Sequence, residues 1–258
     1  MIFTPVDHNK TAREVERQIE ALILQGVLRV GDRLPGEREL SKSLAVSRPI
    51  LRQALSALEA RELLVTRHGG GTFVADVIGS MFAPPVVELI GRDGRARSDY
   101  LEYRREIEAV TAALAARRAT DADRTLLERI GMEMKAAHLE QDPTREGQLD
   151  VELHSTISEC THNIMLLHTM RACYRLLSDE VFFNRGLIYD DGVARDSLLS
   201  QHMDILNAIL EGRDTEAAEA SAAHISFIIE MTHEGLRRAD WQTIAEVRLE
   251  QRRGIVRG

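Results

Sequence analysis

Apolar residues near the start of the chain recur every third or fourth position, and further on every second. Val15, Ile19, Leu22 and Ile23 have the spacing of one helix face, and Gly26 stops the run. LPGERELSKSL (34–44) predicts a short second helix starting after Pro35. Ala45 and Val46 make a tight connection, and Ser47 is placed to cap a third helix, RPILRQALSALEARE. Pro49 falls in the first turn of that helix, where its missing N–H costs nothing. LLVTR and TFVA flank HGGG as two short strands joined by a glycine-rich turn. Two helices with a short connection, then a hairpin, predict a winged helix-turn-helix. After Asp99 only the helical period persists, with helices expected over 99–119, 121–141, 144–160, 162–185, 193–211 and 213–238. Residues 76–98 carry a Pro pair and several glycines without a period, so they predict a linker, with one short helix around VVELI. The expected fold class is mainly α: an N-terminal winged helix-turn-helix (three helices plus a β-hairpin) over 1–75, the linker 76–98, an all-α helical bundle over 99–240, and a basic tail at 241–258.

Composition narrows the class. With 44% hydrophobic, 29% charged and only 4% aromatic residues, the 258-residue chain reads as a soluble globular protein. No apolar run approaches the roughly 18–20 residues that span a bilayer, and no secretion signal follows Met1, so a cytoplasmic protein without membrane partners is expected. Two cysteines, Cys160 and Cys173, make no disulfide framework and read as small packed residues. The net charge of −8 argues against nucleic acid only when averaged. Residues 1–75 hold 11 Lys and Arg against 9 Asp and Glu, a net of +2, while the remainder holds 22 against 32, a net of −10. A mildly basic module is joined to an acidic one.

The first module carries three motifs in order, L-P-x-E-R-E-L, V-S-R-x-x-x-R-x-A-L and G-x-G-T-x-V, within GDRLPGERELSKSLAVSRPILRQALSALEARELLVTRHGGGTFVA. It resembles the DNA-binding domain of the GntR family of bacterial transcription regulators over about the first 75 residues. Physical reasoning agrees, because a recognition helix enters the major groove with its N-terminal residues. Ser47, Arg48 and Arg52 lie there, and arginine contacts guanine bidentately or holds a phosphate. The resemblance implies that Arg38 helps to read bases, and that His68 and Gly69 form the wing tip that approaches the minor groove. Pro49 and Ile50 stand where some relatives have small hydroxylated residues.

In the second module Asp150 and His154, four apart, share one helix face. Alone they read equally as an acid/base pair, half of a metal site, or two surface residues. Periodicity puts them inside, since His154 joins the row Asp150, Leu153, Ile157. Likewise His202 follows Leu198, Ile205, Leu206 and Ile209, and His224 follows Ala217, Ser221, Ile228 and Met231. Buried polar groups need partners, and three imidazoles with one carboxylate satisfy one another through a divalent cation such as Zn²⁺, Ni²⁺ or Mn²⁺. Arg104 falls on the inward row Leu101, Ile107, Thr111, Leu114, where a guanidinium wants a carboxylate, either an effector's or that of an acidic neighbour. His138, His162, His168 and His233 read as ordinary surface or core histidines.

E-x-R at Glu102 and Arg104, D-x-x-x-H in DVELH, Asn163 in THN, and the two histidine-bearing terminal helices resemble the FCD effector-binding domain of FadR-type GntR regulators, over roughly 99–238. The resemblance implies a metal site at Asp150, His154, His202 and His224, with Arg104 and Asn163 on the effector. It implies a homodimer that binds a palindromic double-stranded operator and responds to a small carboxylate (a hydroxy or keto acid, or a sugar acid), and not an enzyme. Two alternatives stay open: an acyl-CoA-type effector without metal, and a helical metallohydrolase, which leaves residues 1–75 without a purpose.

Overall fold

The computed structural model describes residues 2–3, 11–67, 69–76, 93–178 and 192–255. The chain divides into two compact units, residues 1–84 and 85–258. VVELI and most of the expected linker lie outside the described residues.

The first unit comprises α1 (Ala12–Leu24), α2 (Glu37–Ser43), α3 (Arg48–Ala60) and the strands β1 (Leu64–Arg67) and β2 (Gly71–Val74). Val15, Ile19 and Ile23, one turn apart, are the buried stripe of α1, and they share a core with Leu40, Leu44, Leu51, Leu58, Leu64 and Val74. The connection from α2 to α3 is a Schellman turn: Val46 N–H donates to Ser41 O at 3.0 Å and Ala45 N–H to Lys42 O at 3.2 Å. This puts Ala45 at φ 54°, in the left-handed region. The strands pair antiparallel with Leu64 opposite Val74 and Arg67 opposite Gly71, and Arg33 bridges to Phe73 at the edge. This is a winged helix-turn-helix.

The second unit is all helical among its described residues: α4 (Gly94–Arg118), α5 (Asp121–Leu139), α6 (Pro143–Cys160), α7 (Ile164–Ser178), α8 (Gly192–Leu210) and α9 (Asp214–Ile255). Local chemistry sets the boundaries. Asp93 caps α4 through Ala96 N–H, Thr120 and Asp123 form a capping box on α5, and Asp142 caps α6 with Pro143 in its first turn. α4 packs along α9 and also meets α6 and α8, presenting Ala112, Ala115 and Ala116 so that its neighbours come close. A Cβ on Gly131 of α5 would lie 2.5 Å from the Leu206 side chain of α8, so any larger residue at that crossing must push Leu206 aside. Cys160 and Cys173 are buried, and burial pushes their thiols up to about 12 and about 11.

Two helices differ from the sequence expectation. α4 begins at Gly94 rather than Asp99, because the Asp93 cap sits earlier than any periodic apolar residue. α9 runs on to Ile255, through most of the segment expected as a separate tail. Residues 239–253 are rich in Ala, Glu, Gln, Arg and Leu and lack proline, so propensity continues the helix while Trp241, Ile244 and Val247 stay exposed. No helix among the described residues is long and apolar enough to cross a membrane.

Candidate functional site

Three helices of the second unit converge on one polar cluster. Asp150 and His154 stand a turn apart on α6, His202 lies on α8 and His224 on α9, and one candidate ligand atom from each falls within 4.8 Å of the others. The three imidazoles are at most 3% exposed, with ring centroids 4.4–5.4 Å apart. Their Nε2 atoms are all buried without a hydrogen bond among the described residues. His202 Nε2 comes within 2.9 Å of Asp150 Oδ1, but off the line of a hydrogen bond. Each orphaned nitrogen costs about 1–3 kcal/mol if nothing meets it. Three convergent nitrogens beside a carboxylate oxygen are a donor set that can hold a divalent metal ion.

The far sides of two rings are occupied. His224 Nδ1 lies 3.1 Å from Gln201 Oε1, and His154 Nδ1 lies 3.0 Å from Glu108 Oε2. A ring that turns Nδ1–H to an acceptor keeps the Nε2 lone pair for a cation. Glu108 Oε1 accepts from Arg104 Nε at 2.6 Å, with both side chains 3% exposed. Arg104 therefore has the acidic-neighbour partner that its inward row allowed.

Electrostatics follow from this crowding. Burial opposes the Asp150 carboxylate, but His202, His154 and His224 hold its pKa well below the usual carboxylate range. Burial likewise disfavours ionised Glu108, and the Arg104 guanidinium and His154 outweigh it and lower its pKa. Burial lowers His154, yet Glu108 and Asp150 raise it overall, whereas burial and the neighbouring His202 and His154 keep His224 neutral. Burial also disfavours the Arg104 cation, and Glu108 keeps it charged. A cavity of about 20 Å³ adjoins His202, lined by Met134, His138, Glu146, Arg195, Leu198 and Leu199, with room for about one water.

Asn163 does not join this cluster. Its side-chain oxygen accepts from Met165 and Leu166 N–H at 3.0 and 3.2 Å, capping α7. Glu108 and Gln201 are the participants that sequence reasoning passed over. Glu108 had a signal, its i+4 spacing from inward Arg104.

In the first unit, Arg38, Ser47 and Arg48 are exposed. Ser47 is the N-cap of α3, yet its side chain makes no capping bond, against expectation. Arg52 reaches back from α3 to Glu37 of α2 at 2.8 Å, an exposed pair worth at most about 1 kcal/mol. Gly69 sits at φ +72° in the hairpin turn, a conformation that penalises any side chain, while His68 lies outside the described residues.

Comparison with known proteins covers both units. Residues 11–74 match the family described as bacterial regulatory proteins, gntR family, and residues 99–227 match the FCD domain. An Escherichia coli protein named as a regulator of an L-lactate dehydrogenase operon is 36% identical over 93% of this chain and 90% of its own. The Glc operon transcriptional activator of Escherichia coli is 31% identical over 85% and 88%, and its Uxu operon transcriptional regulator 30% over 80% of each. Among solved structures, a GntR protein of Streptococcus agalactiae superposes with TM-score 0.51 at 27% identity, over 84% of this chain and 98% of its own.

Proposed function

Because the chain belongs to the GntR family of bacterial regulatory proteins and carries an FCD domain, we propose that it is a cytoplasmic, homodimeric transcription regulator of the FadR-type branch, with a DNA affinity set by a small carboxylate. The observation that carries the effector reading is the set of three buried, unbonded imidazole Nε2 atoms beside Asp150, in a unit joined to a winged helix-turn-helix.

The exposed start of α3 suits the major groove: Ser47 and Arg48 face bases or phosphates, Arg38 and Arg52 flank them, and His68 and Gly69 approach the minor groove at the wing. One recognition helix reads too few bases for useful specificity, so two copies on a palindrome are required. In the second unit Asp150, His154, His202 and His224 hold Zn²⁺, Ni²⁺ or Mn²⁺. A divalent cation there supplies coordination for an anionic ligand. Arg104 and Glu108 cancel in charge, and a divalent ion exceeds the single charge of Asp150, so a carboxylate is the complementary guest. Arg104, whose Nε is already given to Glu108, offers its remaining guanidinium N–H groups to the same carboxylate. The relative named for an L-lactate dehydrogenase operon supports a small hydroxy acid within the proposed class of carboxylate effectors. A cavity of about 20 Å³ is too small for such a molecule, so binding must shift the side chains around it. A switch further requires that the acid bind the two DNA-binding states with unequal affinity.

The test is fluorescence anisotropy on the DNA upstream of the protein's own gene and of neighbouring promoters, at fixed salt, with and without Zn²⁺ and L-lactate or a hexuronate. Salt-dependent specific binding whose Kd moves with an acid only when metal is present is the expected result. No specific DNA binding at any of these sites sinks the regulator reading; binding indifferent to every acid sinks the effector reading.

A further inference from the structure

We propose that Glu108 is a positioning residue of the metal site, a buried carboxylate clamped by Arg104 that turns His154 so that its Nε2 faces the cation. The inference rests on the metal-site reading above.

Glu108 is not one of the four converging residues, yet it is buried as deeply as the three histidines. Its two oxygens face different partners: Oε1 accepts from Arg104 Nε at 2.6 Å, and Oε2 lies 3.0 Å from His154 Nδ1, an ion-pair contact off the line of a hydrogen bond among the described residues. A merely structural ion pair between Arg104 and Glu108 needs only the first contact. The second decides which ring nitrogen of His154 carries hydrogen, because a carboxylate at Nδ1 demands an N–H there and leaves Nε2 as a lone pair. Arg104 fixes the carboxylate in turn, and its guanidinium carbon stands 5.7 Å from the Tyr174 ring centroid, which is itself 5.9 Å from that of His154. The chain Arg104–Glu108–His154 thus runs from α4 to α6 and ends at the ligand nitrogen. Glutamine at position 108 keeps the shape but presents one acceptor oxygen and one donor nitrogen, and so serves one of the two partners.

The experiment titrates full-length, chelator-stripped protein with Co²⁺, reading affinity by competition with a chelating dye and geometry by the visible Co²⁺ spectrum. The parent is compared with E108Q and E108D and, because an unpaired buried arginine can unfold the unit, with the double variant R104M/E108Q, each checked by circular dichroism. Expected are a loss of about 10–100-fold in Co²⁺ affinity and a changed spectrum in E108Q, the same loss in the folded double variant, and partial recovery in E108D. Parent-like affinity and spectrum in the folded Glu108 variants overturn the inference while leaving the metal site standing. A parent protein that takes up no Co²⁺ overturns the metal site itself.

Discussion

Arg48 and Arg104 are the same residue type in two opposite settings. Arg48 stands exposed in the first turn of α3, and the fold asks nothing of its guanidinium. Arg104 is 2% exposed inside the helical unit, held by Glu108, which in turn faces His154. The winged unit keeps the residues proposed to meet DNA on the outside of a largely apolar core, so function and stability are expected to be separable there. The helical unit places its candidate ligands inside the core, so each is at once a proposed ligand, a charge to be balanced and a packing element. Mutations should therefore divide cleanly: in the first unit they cost binding, in the second they cost folding as well.

The sharpest way to break that contrast is Arg104→Ala. It strands a carboxylate in the interior, and breaking one partner of a buried pair costs about 3–5 kcal/mol. Urea denaturation should show the helical transition falling by about that much while the winged unit unfolds as before. A loss under about 1 kcal/mol would show that the pair is wetter than its burial indicates. Metal should act next most strongly. At a Zn²⁺ concentration 100 times its Kd, linkage stabilises the native state by about 2.7 kcal/mol. Hydrogen exchange should assign that gain to amides of α6, α8 and α9 and none to α1–α3; equal protection of both units would erase the distinction.

The two regions also differed in how readable they were. The winged fold could be read because its signals are local: a stripe at 15, 19 and 23, a proline in the first turn of α3, glycines at a hairpin. The inward rows of Asp150, His154, His202 and His224 could be read from their apolar neighbours, although periodicity says that a residue faces inward, not what it meets there. Glu108 was passed over although it stands four residues from inward Arg104, because that spacing offers an ion-pair partner without showing that His154 of α6 faces its other oxygen. Asn163, which the resemblance placed on the effector, caps α7 with its side-chain oxygen, a role that depends on where α7 begins. The far half of α9 was missed because its described side chains, residues 241–249, are all exposed and leave no buried stripe to detect.

On the outer side of the comparison, Arg48→Ala should leave urea stability within about 0.5 kcal/mol, as surface substitutions do. It should weaken specific DNA binding by about 10–100-fold, the effect of removing one bidentate base contact. Anisotropy on specific and scrambled duplexes separates the cases: an equal loss on both assigns Arg48 to phosphate rather than base.

The smallest effect lies in the turn between α2 and α3. Ala45 occupies the C′ position of a Schellman turn at φ 54°, while Gly212 fills the equivalent place after α8 at φ 72°. An L-residue in the left-handed region is strained by about 1–2 kcal/mol. Replacing alanine by glycine removes that strain but frees the unfolded chain by about 0.4–1 kcal/mol. The difference favours Ala45→Gly by about 0–1.6 kcal/mol in the stability of the winged unit. Because Ala45 is exposed and its N–H to Lys42 O bond is retained, the angle between the two helices should not change. DNA affinity should therefore stay at the parent value while the urea midpoint rises. If affinity drops with stability unchanged or higher, alanine at this turn stiffens the recognition helix, and stability and function are coupled even in the unit where they looked separate.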